Sequence, residues 1–442
     1  MFFCKEVAKF YDAIMLFRIV CAFAMAASLH ARDAPNSYRF DFGEGPAAPG
    51  YTKVTPETTF TKERGYGLGA TPAVKAVTRK GANPLRNDFL TADKPFFFAV
   101  ALPEGNYKVT VTLGDQTAES ITTVKAELRR LMLEAIRTRP GEFVEKSFIV
   151  NIRTPRIPNE GEVRLKPREK TGEIVAWDDK LTLEFNDSRP AIAALTIEPA
   201  AAIPVLYIAG DSTSTDQPGE PFNSWGQMIT RFLAPTVAVA NHGESGETLR
   251  SFIGEKRLAK VMSLLQPQDF VMIQMGHNDM KEKGEGIGAF TSYKTDLKRV
   301  IAETRKHGAT PILITSVNRR TFDPGGHIVN SLGDYPEAVR QTASEEHVAL
   351  IDLNAMSKTL YEAIGVVDSP KAFAPGDVTH HNNYGSYELA KCVFESIRAQ
   401  KLPLARFLLP DVAPFDPAHP DALATFRVPA SPKASAEKPY GY

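Results

Sequence analysis

Cysteine is scarce, with three in 442 residues. Cys4 and Cys21 fall within a leader-like N-terminus, so only Cys392 would remain and no intramolecular disulfide is expected. An excess of one charge is missing too: 52 Lys+Arg balance 52 Asp+Glu. That balance disfavours a nucleic-acid binder working through bulk positive charge. Beyond the N-terminus there is no long apolar run, which argues against a multi-span membrane protein. No internal repeat of roughly 20 to 50 residues is visible. Paired cysteines, His clusters and H-E-x-x-H are lacking, as are a P-loop and a G-x-G-x-x-G opening a helix. No metal or cofactor is therefore expected. The missing G-x-S-x-G elbow leaves the α/β-hydrolase fold without support. What remains is ordinary globular composition, 43% hydrophobic and 24% charged, on a chain longer than one core normally spans.

The N-terminus reads as a secretory leader. Lys5, Lys9 and Arg18 precede a short apolar run that gives way to small residues and then to a polar segment from Arg32. Met15 is an alternative start. Cleavage is expected near Ala31, which makes residues 1–31 the signal peptide and places the mature protein in the periplasm or outside the cell, with no integral membrane domain. An exported protein this large can fold without a disulfide.

Two periodicities follow. Residues 33–200 carry short segments of two-residue period, at Tyr38–Phe42, Phe96–Leu102, Tyr107–Leu113, Phe148–Ile152, Leu181–Phe185 and Ala194–Ile197. Gly- and Pro-rich turns separate them, which predicts an all-β sandwich. The stretch Val124–Ile136 holds helix formers, yet its context favours strand. From about 203 to 402 the pattern switches to short buried runs at Val205–Ala209, Val237–Ala240, Phe270–Met275, Ile312–Thr315 and Ala349–Leu353. Helical stretches near Trp225–Leu233, Phe290–His307, Tyr335–Glu346 and Tyr384–Gln400 alternate with them. This predicts a three-layer α/β/α domain around a parallel sheet. Residues 410–442, with seven prolines, read as an extended tail.

In such a sheet the site lies beyond the carboxyl ends of the strands. Those ends read Gly210-Asp211-Ser212-Thr213-Ser214, Asn241-His242-Gly243-Glu244-Ser245-Gly246 and Gly276-His277-Asn278-Asp279. Asp377-Val378-Thr379-His380 precedes the last helical stretch. In this order the four segments resemble the blocks of the SGNH, or GDSL, hydrolase superfamily. Asn223-Ser224-Trp225-Gly226, Thr315 to Asp323 and Gly333-Asp334-Tyr335-Pro336 narrow the likeness to rhamnogalacturonan acetylesterases. Phe40-Asp41-Phe42-Gly43 and Arg64 to Gly69 resemble a galactose-binding-like β-sandwich.

The resemblance implies a catalytic set of Ser212 as nucleophile, His380 as base and Asp377 as its orienting acid. It also implies an oxyanion hole from the Ser212 and Gly246 N–H groups and the Asn278 amide. The chemistry agrees. A serine hydroxyl needs a base within reach to take its proton, and the base needs a carboxylate to fix its tautomer. The tetrahedral oxygen in turn needs donors already aimed at it. Each residue also has a plainer reading: Ser212 as a helix cap, His380 as a loop histidine with His381 competing, His277 and Asp279 as loop braces. Trp225, Arg319 and Arg320 are candidate substrate contacts, the arginines for a uronic acid, with core packing and a surface ion pair as the alternatives. The expected function is deacetylation of a plant cell-wall polysaccharide, specifically pectic rhamnogalacturonan, with no nucleic-acid partner. The alternatives are a lipase or thioesterase of the same superfamily and a carbohydrate-binding protein with a secondary hydrolase half.

Overall fold

Alternation of apolar side chains explains the first half of the molecule. A computed structural model describes residues 37–69 and 74–432. The leader, its cleavage site, Cys4, Cys21 and the end of the tail lie outside the described residues. One sheet orders its strands as β10 (Phe143–Ile152), β7 (Gly105–Gly114), β14 (Ile192–Pro199), β1 (Tyr38–Phe42) and β2 (Thr52–Val54), with β5 (Asp88–Thr91) beside β14 and β4 (Lys75–Thr78) on β5. The facing sheet runs β3 (Tyr66–Leu68), β6 (Phe96–Ala101), β13 (Lys180–Arg189), β8 (Ser120–Ala126) and β9 (Arg130–Thr138). Strand β6 shows the logic: Phe96, Phe98 and Val100 point inward and are fully buried, while the residues between them are half-exposed. The ambiguous Val124–Ile136 stretch is the β8–β9 hairpin.

The second half is built on a five-stranded parallel sheet, ordered β16 (Ala238–Asn241), β15 (Val205–Gly210), β17 (Phe270–Gln274), β18 (Thr310–Ile314) and β19 (Ala349–Ile351). Both faces are covered. Leu206, Ile208, Met272 and Ile312 pack on one side with α1 (Trp225–Met228), α6 (Leu353–Asp368) and α7 (Asn383–Ala399). Val205, Tyr207, Val271 and Ile273 pack on the other with α2 (Leu249–Gly254), α3 (Arg257–Leu264), α4 (Lys294–Lys306) and α5 (Tyr335–Glu345). Because β16 lies on one side of β15 and β17 on the other, the loops after these strands diverge and open a crevice.

The halves share their packing. Leu131 of β9 belongs to the core under α1, and Ile149 of β10 belongs to the core of the opposite face. Arg130 donates to Asp216 at 2.7 Å with both groups buried, and Asn241 donates to the other oxygen of the same carboxylate. Beyond α7 the chain returns along the surface. Phe415 and Val428 enter the core, and Lys125 donates to the Pro429 carbonyl and to Ser431. No helix among the described residues is long and apolar enough to cross a membrane.

Candidate active site

The turn after β15 is made by its own polar side chains. The Asp211 carbonyl accepts the N–H groups of Ser214 and Thr215, and its carboxylate accepts the backbone and hydroxyl of Thr213 at 2.9 and 2.8 Å. A Cβ at 210 would meet the Ser214 hydroxyl and press on the Gln274 carbonyl, so a side chain there would force this turn to shift. Ser212 is left at the tip of this turn. Its Oγ lies 2.9 Å from His380 Nε2, although 168 residues separate the two in sequence. His380 Nδ1 lies 2.9 Å from Asp377 Oδ2, and the other Asp377 oxygen accepts the N–H groups of Thr379 and His380 at 2.7 and 3.0 Å.

Burial alone would raise the Asp377 carboxyl, but the His380 ring and these two N–H groups hold it below its ordinary value. An ionised carboxylate only accepts, so Nδ1 carries the imidazole proton and Nε2 presents its lone pair to the serine hydroxyl, which donates. The neighbouring His381 is a core residue. It is fully buried against Phe373, its Nε2 lies 2.7 Å from the Tyr361 hydroxyl, and burial followed by repulsion from His380 lowers it to about 3.

Ser212 and His380 open on a pocket of about 230 Å³, lined also by His277, Asn278, Lys281, Arg319, Val378 and Thr379. The Asn278 amide donates to the Glu247 carbonyl at 3.0 Å and its oxygen accepts from Lys281 at 3.3 Å, which fixes the amide and leaves its second N–H. Gly246 stands at φ +77°, where L side chains are strained. It borders a neighbouring cavity of about 550 Å³ with Lys166, Pro167, Arg168, Ser251 and Glu255, and does not line the Ser212 pocket. Glu247, the next residue along the chain from Gly246, supplies the carbonyl that holds Asn278, which does line the Ser212 pocket. His277 pairs with Asp211 at 3.3 Å; burial pushes that carboxyl up, and the His277 and Thr213 contacts outweigh it, so it lies below its usual value.

A hydroxyl within hydrogen-bond reach of an imidazole, an ionised acid behind that ring and the Asn278 amide on the same pocket together suit acyl transfer from an ester. The family described as GDSL-like Lipase/Acylhydrolase matches residues 208–386. The chain is also 36% identical over 219 residues to rhamnogalacturonan acetylesterase RhgT of Bacillus subtilis (strain 168), covering 46% of this chain and 94% of that one. The chain belongs to the GDSL-like lipase/acylhydrolase family. It is a serine esterase by that membership. Residues 38–133 match the family described as beta-agarase/YXIM esterase-like, galactose-binding domain-like. The uncharacterized esterase YxiM of the same bacterium is 26% identical over 404 residues, spanning 89% of this chain and 98% of its own. The crystal structure of YxiM aligns at 25% identity with a TM-score of 0.46, covering 83% of this chain and 99% of the other.

Within this GDSL-like esterase two expected substrate contacts need correction. Trp225 is fully buried in the core, with its indole N–H on the Gln274 side chain, so no sugar reaches it. Arg320 does not line the pocket. Its guanidinium lies over the Phe373 ring and 3.5 Å from the Asp377 carbonyl, and its backbone donates to Val378, so it braces the loop that carries Asp377. Arg319 does line the pocket, held by the Ser331 carbonyl at 3.1 Å. Sequence reasoning missed Lys281, two residues beyond the G-H-N-D segment, whose ammonium is lowered by burial and by repulsion from Arg319. The signal available was its spacing of three from Asn278, one helical turn away.

Proposed function

We propose that this esterase removes acetyl groups from an acidic plant cell-wall polysaccharide, most specifically pectic rhamnogalacturonan, through an acetyl-serine intermediate, and that it acts after export. The observation that carries the reading is the hydrogen-bonded run from Asp377 through His380 to Ser212, which ends in a pocket lined by two cations. His380 takes the Ser212 proton as Oγ attacks the acetyl carbonyl. The resulting oxyanion is met by the Ser212 and Gly246 N–H groups and the Asn278 amide. The sugar oxygen leaves with the proton held on His380, and water, activated by the same imidazole, releases acetate.

A pocket of about 230 Å³ suits an acetyl group better than a long acyl chain. Arg319 and Lys281 suit a uronate carboxylate beside the ester. The names of RhgT and its kind support this substrate class. The Lys5, Lys9 and Arg18 run before an apolar stretch supports export. The test is acetate release from acetylated pectin, xylan and chitin oligomers, by wild type and Ser212→Ala. The reading expects the acidic pectic substrate to be preferred and the variant to lose on the order of 10⁴-fold or more in kcat. Preference for octanoyl over acetyl esters, or an active variant, would overturn it.

A further inference from the structure

Between β10 and β13 the chain leaves the sandwich and lays residues 153–178 against the α/β half. Its anchor is buried charge: the Glu169 carboxylate accepts from Trp177 Nε1 at 2.8 Å, from the Lys166 N–H at 2.8 Å and from Arg257 at 2.5 Å, and Glu169 and Arg257 are both fully buried. From this anchor two cations reach the loop after β16. Arg168 Nε donates to Glu244 Oε1 at 2.8 Å, and its Nη2 donates to the Ser245 carbonyl at 2.5 Å. Lys166 donates to the same Ser245 carbonyl at 3.0 Å and pairs with Glu247.

The Ser245 carbonyl and the Gly246 N–H belong to one planar peptide, where they point in opposite directions. Two cations on that oxygen therefore fix where the N–H aims, and by drawing electron density toward the oxygen they make it a stronger donor. Glu247, held by Lys166, supplies the carbonyl that orients the Asn278 amide. We propose that Lys166 and Arg168, which lie on the segment joining two strands of the sandwich, are positioning residues for hydrolysis: they aim the Gly246 and Asn278 donors at the forming oxyanion. This rests on the reading of Gly246 and Asn278 given above. It makes a connection between sandwich strands part of the catalytic apparatus.

Arg168 is partly exposed, so its truncation should leave the fold intact. In Arg168→Gln, kcat for 4-nitrophenyl acetate should fall about 10- to 100-fold with KM changed less than about two-fold. The inhibition constant for methylboronic acid, which places a charged oxygen in the same hole, should rise by a similar factor. Arg168→Lys should recover part of both. A well-folded Arg168→Gln with unchanged kcat and boronate affinity overturns the proposal, as does a fall in kcat with no change in boronate affinity. If Arg168→Gln does not fold, Lys166→Gln is read in the same two assays, and no change in either overturns it. Ser212→Ala, run alongside, separates the two failures: activity that survives it removes the serine reading itself, whereas activity lost there and retained in Arg168→Gln removes only the positioning role.

Discussion

The interior of the sandwich and the strand ends of the α/β half bury opposite kinds of side chain. Inside the sandwich Phe40, Phe42 and Phe98 meet ring to ring at about 5 Å, and the Phe96 and Phe185 rings stack nearby. At the strand ends of the α/β half the buried residues are instead polar: Asp211 through Gln217, Asn241, His242, Glu244 and Gln274. Burying polar groups costs stability unless each finds a partner, whereas apolar burial supplies it. The sandwich is thus organised for cohesion. The loops beyond β15, β16 and β17 spend cohesion on fixed dipoles, as a site that must not reorganise during reaction requires. Mutation should accordingly separate activity from stability according to where it falls.

The largest effect on activity outside the nucleophile is expected at Asp377. Asp377→Asn keeps the size of the side chain but removes the charge that fixes the His380 tautomer, so kcat should fall roughly 10³- to 10⁴-fold with little change in melting temperature. A kcat within ten-fold of wild type would place the acid elsewhere. The mirror case is Phe98→Ala, which empties the centre of the aromatic cluster. It should cost about 3–5 kcal/mol of stability and leave kcat for a small acetate ester unchanged, as denaturant titration beside a rate assay would show. Loss of kcat at temperatures where this variant is folded would mean that the halves are less distinct than their cores suggest.

What the sequence made legible follows the same division. The Ser212, Asn278 and His380 segments are short and local, and the three-residue spacing of Asp377 and His380 lets one loop deliver both. The long helix Leu353–Asp368 escaped because the apolar run that begins at Ala349 continues through Leu353. The helix starts inside that run, at Asp352, whose side chain accepts the Ala355 N–H as a cap. Trp225 reads both as core and as a substrate contact, because an indole beside a helix start looks the same whether it faces solvent or core; burial is a tertiary fact. Lys166 and Arg168 carried no motif at all, since their partners Glu244, Ser245 and Glu247 lie some 76 to 81 positions away and charged pairs leave no periodic trace.

Asp279 offers a smaller and finer test of how the α/β half spends its stability. Its carboxyl is pushed up to about 8 by burial, which the Leu249 N–H only partly offsets, and one of its oxygens has no partner among the described residues. In the unfolded chain the same group loses its proton near 4. As pH rises between those two values the unfolded state releases a proton that the folded state keeps, so stability falls across this window and levels off above about 8. Asp279→Asn has no proton to release and keeps an oxygen for the Leu249 N–H. Its melting temperature should therefore gain on wild type by a few degrees between about pH 5 and pH 8. Part of the slope should survive, because burial also pushes Glu127 and Glu173 up to about 8. A constant difference between the two melting curves across this range would show that Asp279 is ionised in the folded protein and finds a partner for its second oxygen.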